Sequence, residues 1–203
     1  MTYVSIRKII FIFLALATSF AHGNNYKTNR IEVLVNEDII TKYDIVQRLK
    51  INSILNRVEI TDINYNQLLN IVIDDLVIEK LKIKKIEEYN ISFNKNEFIT
   101  HEKRYLLNLN FSKKELEELF YINDINYNHL NDLLGIDLKW QKLIYGLYFR
   151  VTSVTEQEIS ELTSKNPNID EETANDLILQ KQLDLKSKKL IKDLRDEATI
   201  EYK

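Results

Sequence analysis

The sequence predicts a mainly α-helical fold carrying a small β-sheet, built from an N-terminal hairpin and a C-terminal strand. Three observations predict it. Only three Gly and one Pro occur in 203 residues, so few positions break a helix. Apolar residues recur at helical spacing over most of the chain. Two short β-like runs, residues 31–40 and 198–202, stand near its two ends.

Composition narrows the function classes. The chain is 44% hydrophobic and 29% charged, the balance of a globular protein. Scarce Gly and Pro exclude a collagen-like chain, a flexible linker array and a turn-dense β-sandwich. With no cysteine there can be no disulfide, thiolate zinc site, iron–sulfur cluster or Cys nucleophile. The 28 basic residues are outnumbered by 31 acidic ones, so no basic footprint for nucleic acid is expected.

Residues 1–23 read as a secretory signal. Arg7 and Lys8 form a positive start, Ile9 to Phe20 an apolar stretch, and Ala21-His22-Gly23 a small-residue cleavage site. The stretch falls short of the roughly 20 residues of a membrane span. A membrane association is expected only if the leader stays uncleaved. Removing Arg7 and Lys8 takes the formal charge from −3 to −5.

Ile31-Glu32-Val33-Leu34-Val35, then Asn36-Glu37-Asp38, then Ile39-Ile40 predicts a hairpin. Thr41 with Asp44 opens a helix that fades near Asn56. The longest helix spans Tyr65 to Tyr89, with Leu68, Leu69, Val72, Leu76, Ile83 and Ile86 on one side. Ile71, Ile73, Val77 and Ile78 make its middle apolar nearly all round, so it must be covered on more than one side. Asn94 with Glu97 starts a third helix, and the Ser112–Glu115 capping box a short fourth. A fifth runs from about Asn126 to Phe149, interrupted by Gly135 and Gly146, which suggest a bend or a close helix crossing. The Thr155–Glu158 box starts a sixth that must end before Pro167. A final helix over Glu172 to Asp196 leads into an alternating strand, Ala198 to Tyr202. That strand is expected to pair with the hairpin, since two strands alone are marginal.

Catalytic signals are sparse. After the leader only His101 and His129 remain, each without a second ligand at metal spacing, so both read as surface or satisfied helix histidines. The two glycines left are too far apart for a phosphate loop. The pairs Asp74–Asp75, Glu87–Glu88 and Glu117–Glu118 diverge by about 100° on a helix. With Lys80, Lys82, Lys84, Lys113 and Lys114 nearby, they read as solvated faces. No catalytic residue, metal or cofactor is expected. Aromatic residues cluster in the middle third, from Tyr89 to Phe149. Core packing accounts for most of them, and any left exposed would mark a surface for other polypeptides.

Several motifs carry a resemblance. Val35-Asn36-Glu37-Asp38-Ile39-Ile40 with Asp44-Ile45 resembles the opening hairpin and first helix of SurA-type periplasmic chaperones. The helix over Leu68–Asn90 with Ile91-Ser92-Phe93, and the start at Asn126-Tyr127-Asn128, are similar to later elements of that family. Val154-Thr155-Glu156-Gln157-Glu158-Ile159 resembles the helix that usually precedes its parvulin domains. The resemblance covers residues 31–163, extending to the terminal helix and strand. It implies a leader at 1–23, a SurA N-terminal-like helical domain at 24–165, a linker at 166–171 where parvulin domains would stand, and a C-terminal helix and strand at 172–203 that pack back on the first domain.

What the resemblance implies is an ATP-independent periplasmic chaperone for unfolded exported polypeptides, outer-membrane precursors above all. Candidate contacts are Phe98, Tyr105, Phe120, Tyr121 and Trp140, each of which core packing would equally explain. Only 161–171 separates the last two helices, so no counterpart of the prolyl-isomerase domains and no enzyme is expected. A divergent prolyl isomerase and a scaffold subunit with one fixed partner stand as the alternatives.

Overall fold

A computed structural model describes residues 30–203; the predicted leader lies outside them. Strand β1 (Ile31–Val35) and strand β2 (Asp38–Thr41) form the hairpin. Their turn is possible because Asn36 accepts a left-handed φ of 54°, which short polar side chains tolerate. Val35 faces Asp38, Leu34 faces Ile39 and Val33 faces Ile40, with a register shift before Ile31 and Thr41. Val33, Val35 and Ile40 point inward and are buried.

Helix α1 (Lys42–Asn56) follows directly. Thr41 Oγ1 accepts from the Asp44 amide at 3.2 Å while the Asp44 carboxylate accepts from the Thr41 amide at 2.8 Å. Helix α2 (Tyr65–Glu88) is the central element, touching the hairpin, α1 and two later helices. Its all-round apolar middle is indeed covered from several sides, although Ile71 stays largely exposed. Helix α3 (Lys95–Asn108) starts on a reciprocal box between Asn94 and Glu97, and helix α4 (Lys113–Ile122) on the Ser112 half of one.

Helix α5 spans Asn128–Tyr148, two residues later than its sequence suggested, because the Asn126 side chain accepts from the Asn128 amide. Neither glycine interrupts it. A Cβ on Gly135 would sit 3.4 Å from the Phe93 ring, so that glycine admits an aromatic side chain from the turn before α3 rather than a crossing helix. A 3₁₀ turn (Phe149–Val151) leads to helix α6 (Glu156–Lys165), which carries the Thr155–Glu158 box and stops before Pro167. Helix α7 (Glu171–Glu197) returns along α2 and α5. Strand β3 (Ile200–Tyr202) then pairs antiparallel with β1, giving the order β2-β1-β3.

The core forms three clusters. One lies beneath the sheet, between α1 and α2, and takes in Leu194, Ala198 and Ile200 from the returning segment. A second joins the end of α1 to α3, α4 and the start of α5. The third binds Ile86 of α2, Trp140, Leu143 and Ile144 of α5, and Leu183 of α7. A cleft opens beside this third cluster.

Candidate binding cleft

The cleft, about 760 Å³, lies between α3, α5 and α7 with Lys82 of α2 entering it. Its apolar walls are Tyr105, Leu138, Trp140, Ile144, Tyr145 and Leu183. Trp140 is held rather than free: its ring is buried and Nε1 donates to Ser187 Oγ at 2.8 Å. Lys82 Nζ lies 5.5 Å from the centre of that ring. Burial lowers the pKa of the Lys82 ammonium, and the carboxylates of Asp137, Glu79 and Asp75 only partly oppose it. Burial likewise raises the Tyr105 phenol, with Asp137 adding to the effect.

His101 sits on α3, 5% exposed. An Arg104 nitrogen lies 3.3 Å from its Nδ1. A guanidinium can only donate, so Nδ1 accepts and the neutral ring carries its proton on Nε2. Nε2 is 3.2 Å from Asp137 Oδ2 yet lacks the alignment of a hydrogen bond. Asp137 is instead satisfied by Gln141 Nε2 at 2.8 Å. Lys142 on the rim is paired with Glu97 at 2.7 Å.

Gly146 is among the residues that line the cleft. It is exposed in the last turns of α5, and a Cβ built there would meet nothing within 4 Å. A mid-helix glycine costs about 1 kcal/mol relative to alanine. Packing gives no reason for it here. Next to it Tyr145 stacks on Phe149, ring centres 4.4 Å apart, both roughly half exposed. A smaller cleft of about 260 Å³ shares Lys82, Tyr105 and Asp137 and continues towards α1.

The five candidate contacts do not form one surface. Trp140 and Tyr105 meet in the cleft. Phe98 is half-buried, stacked on Phe93 with ring centres 5.6 Å apart. Phe120 is completely buried against Tyr127 and offers no surface to a partner. Tyr121 is 85% exposed and is not among the lining residues. Sequence reasoning passed over Lys82, His101, Asp137 and Gly146. Lys82, expected on a solvated face, sits midway between Ile78 and Ile86 at four-residue spacing, which is the signal that it shares the apolar side of α2. Among the described residues no three His, Asp or Glu side chains are placed to hold a metal.

No protein-family model matches the chain, and none of the curated proteins matches it. Among solved structures it is similar to one of the pair PEB4 and Cj1289, described as structurally related SurA-like chaperones of Campylobacter jejuni. The TM-score is 0.37 at 20% identity, over 69% of this chain and 51% of that one. This chain therefore spans about half the length of that protein.

Proposed function

We propose that the protein is an ATP-independent holding chaperone of the periplasm, taking unfolded exported polypeptides, outer-membrane precursors in particular, into the cleft between α3, α5 and α7. The observation that carries this reading is Gly146, which leaves an aromatic-walled cleft open at a position where packing would admit a side chain. A glycine there allows a client's backbone to approach α5 closely, as a Cβ would not. Tyr105 and Tyr145 offer rigid apolar area to client side chains, backed by the buried Trp140 ring, and the polar rim accepts main-chain groups. Covering the apolar segments of an unfolded chain suppresses aggregation by mass action, without ATP. The sequence resemblance to SurA-type chaperones points the same way, and a mature chain without catalytic or cofactor chemistry is part of this proposal.

The test is suppression of aggregation of a denatured outer-membrane protein by the purified protein. Gly146→Phe fills the mouth of the cleft where no neighbour is displaced. Its thermal midpoint is expected to match the parent or rise slightly, because a helical glycine has gone, while holding is lost. Undiminished holding by a folded Gly146→Phe protein overturns the assignment to this cleft. Affinity capture from the periplasm that returns one stoichiometric partner, rather than many unfolded ones, turns the reading to a scaffold subunit.

A further inference from the structure

The cleft brings two cations to apolar walls, and neither makes a direct ion pair, although the carboxylates of Asp137, Glu79 and Asp75 act on Lys82 from beyond contact. Among the described residues Lys82 and Arg104 take part in no ion pair. Lys82 lies over the Trp140 ring, and Arg104 hydrogen-bonds to His101 Nδ1. Around them Asp137 accepts from Gln141, Asp184 accepts from Gln180, and Lys142 is paired with Glu97. The smaller adjoining cleft contributes Glu79, bound to Arg48, and Asp75, which accepts from Asn52.

We propose that the cleft selects, among unfolded segments, those in which an Asp or Glu side chain stands between apolar or aromatic residues. Its carboxylate pairs with the partly buried Lys82, which lies over the Trp140 ring, and with the exposed Arg104, while its neighbours lie against Tyr105 and Tyr145. The inference rests on the reading that this cleft receives client segments. A lone carboxylate entering an apolar cleft ordinarily loses hydration that nothing replaces. Here it meets an ammonium whose desolvation is only partly offset by carboxylates that make no ion pair with it, so one direct ion pair relieves both penalties. An amide side chain makes no such pair, and a lysine adds a third cation. The selectivity is short-range. The chain's formal charge of −3 repels acidic segments at a distance, so the preference resides in dissociation rather than in encounter.

Trp140 is the single tryptophan of the chain, so its emission reports on the cleft alone. The probes are three acetylated, amidated heptapeptides of the same Phe, Leu and Ser residues, with Glu, Gln or Lys at the centre. Titrated into the purified protein at moderate salt, the Glu peptide is expected to bind about tenfold tighter than the Gln peptide, with the Lys peptide weakest. Lys82→Met and Arg104→Gln should each lower the Glu-to-Gln ratio towards one. Should Lys82→Met fail to fold, Arg104→Gln, exposed on α3, decides the matter. Equal affinities for the three peptides overturn the charge preference and leave the cleft standing as a client site. No response of Trp140 to any of them overturns both.

Discussion

Tyr127 donates its hydroxyl to Glu102 Oε1 at 3.2 Å, and Lys113 Nζ donates to the same oxygen at 2.9 Å. Glu102 is buried, and this pair of donors is what compensates its charge. Burial, together with the adjacent Glu102 charge, pushes the Tyr127 phenol well above its ordinary value of 10.0. The neutral phenol is therefore favoured in the folded chain. The stability it contributes is complete below pH 10 and is lost as pH rises beyond that, because the unfolded chain then ionises first. Thermal melts above pH 10 should show a falling midpoint, less steep in Tyr127→Phe; a slope unchanged by that substitution would contradict the assignment. Tyr105, raised in the same direction, retains part of the slope. Two side chains away from this network the burial pattern is sharper still. Phe120→Ala leaves a void in the second cluster and should cost about 3–5 kcal/mol in chemical denaturation. Tyr121→Ala, on the exposed side, should fall within about 0.5 kcal/mol of the parent. An aromatic pair one residue apart is not separable by composition. The packing of Phe120 against Tyr127 within the second cluster fixes which ring turns inward.

Helix starts were the most legible elements. Thr41–Asp44, Asn94–Glu97 and Thr155–Glu158 all form reciprocal boxes, because a cap is a local pattern read within four residues. The faces of α5 were less legible. Its wide stripe serves three partners, α2, α3 and α7, and periodicity alone does not say which apolar residues stop short of a neighbour and so line a cleft. Helix α6 illustrates the opposite extreme, with no buried residue and contacts chiefly to α7. Its stability leans on its cap and on Gln182, which bonds Ser153 and Glu158. Thr155→Ala should cost about 1 kcal/mol locally. Hydrogen exchange should show α6 amides opening well before those of α2, and faster again in the variant. Equal protection of α6 and α2 would mean that α6 belongs to the global unit.

At the scale of the whole molecule the sheet decides how the chain closes. The predicted pairing of the last strand with the hairpin is found, with Val33 opposite Tyr202 and Val35 opposite Ile200. Asn36 clasps the join twice: its amide donates to the Thr199 carbonyl at 2.8 Å and its side chain accepts from the Thr199 amide at 2.9 Å. Asn36→Gly keeps the left-handed turn without strain and removes the side-chain half of the clasp. It should lower global stability by about 1 kcal/mol, read from the denaturation midpoint. Asn36→Ala should lose more, since it also pays the left-handed cost. No helix among the described residues is long and apolar enough to cross a membrane.

The antiparallel arrangement of β1 and β3 also bears on how the protein responds to mechanical load. Because Tyr202 lies opposite Val33, the start of the first strand and the finish of the last emerge from the same side of the sheet. Tension applied at the two termini therefore peels the ladder one rung at a time instead of shearing all rungs together. A motor or protease tugging on either tail would meet little resistance at the sheet and would feel the helical body only after that zipper had come apart.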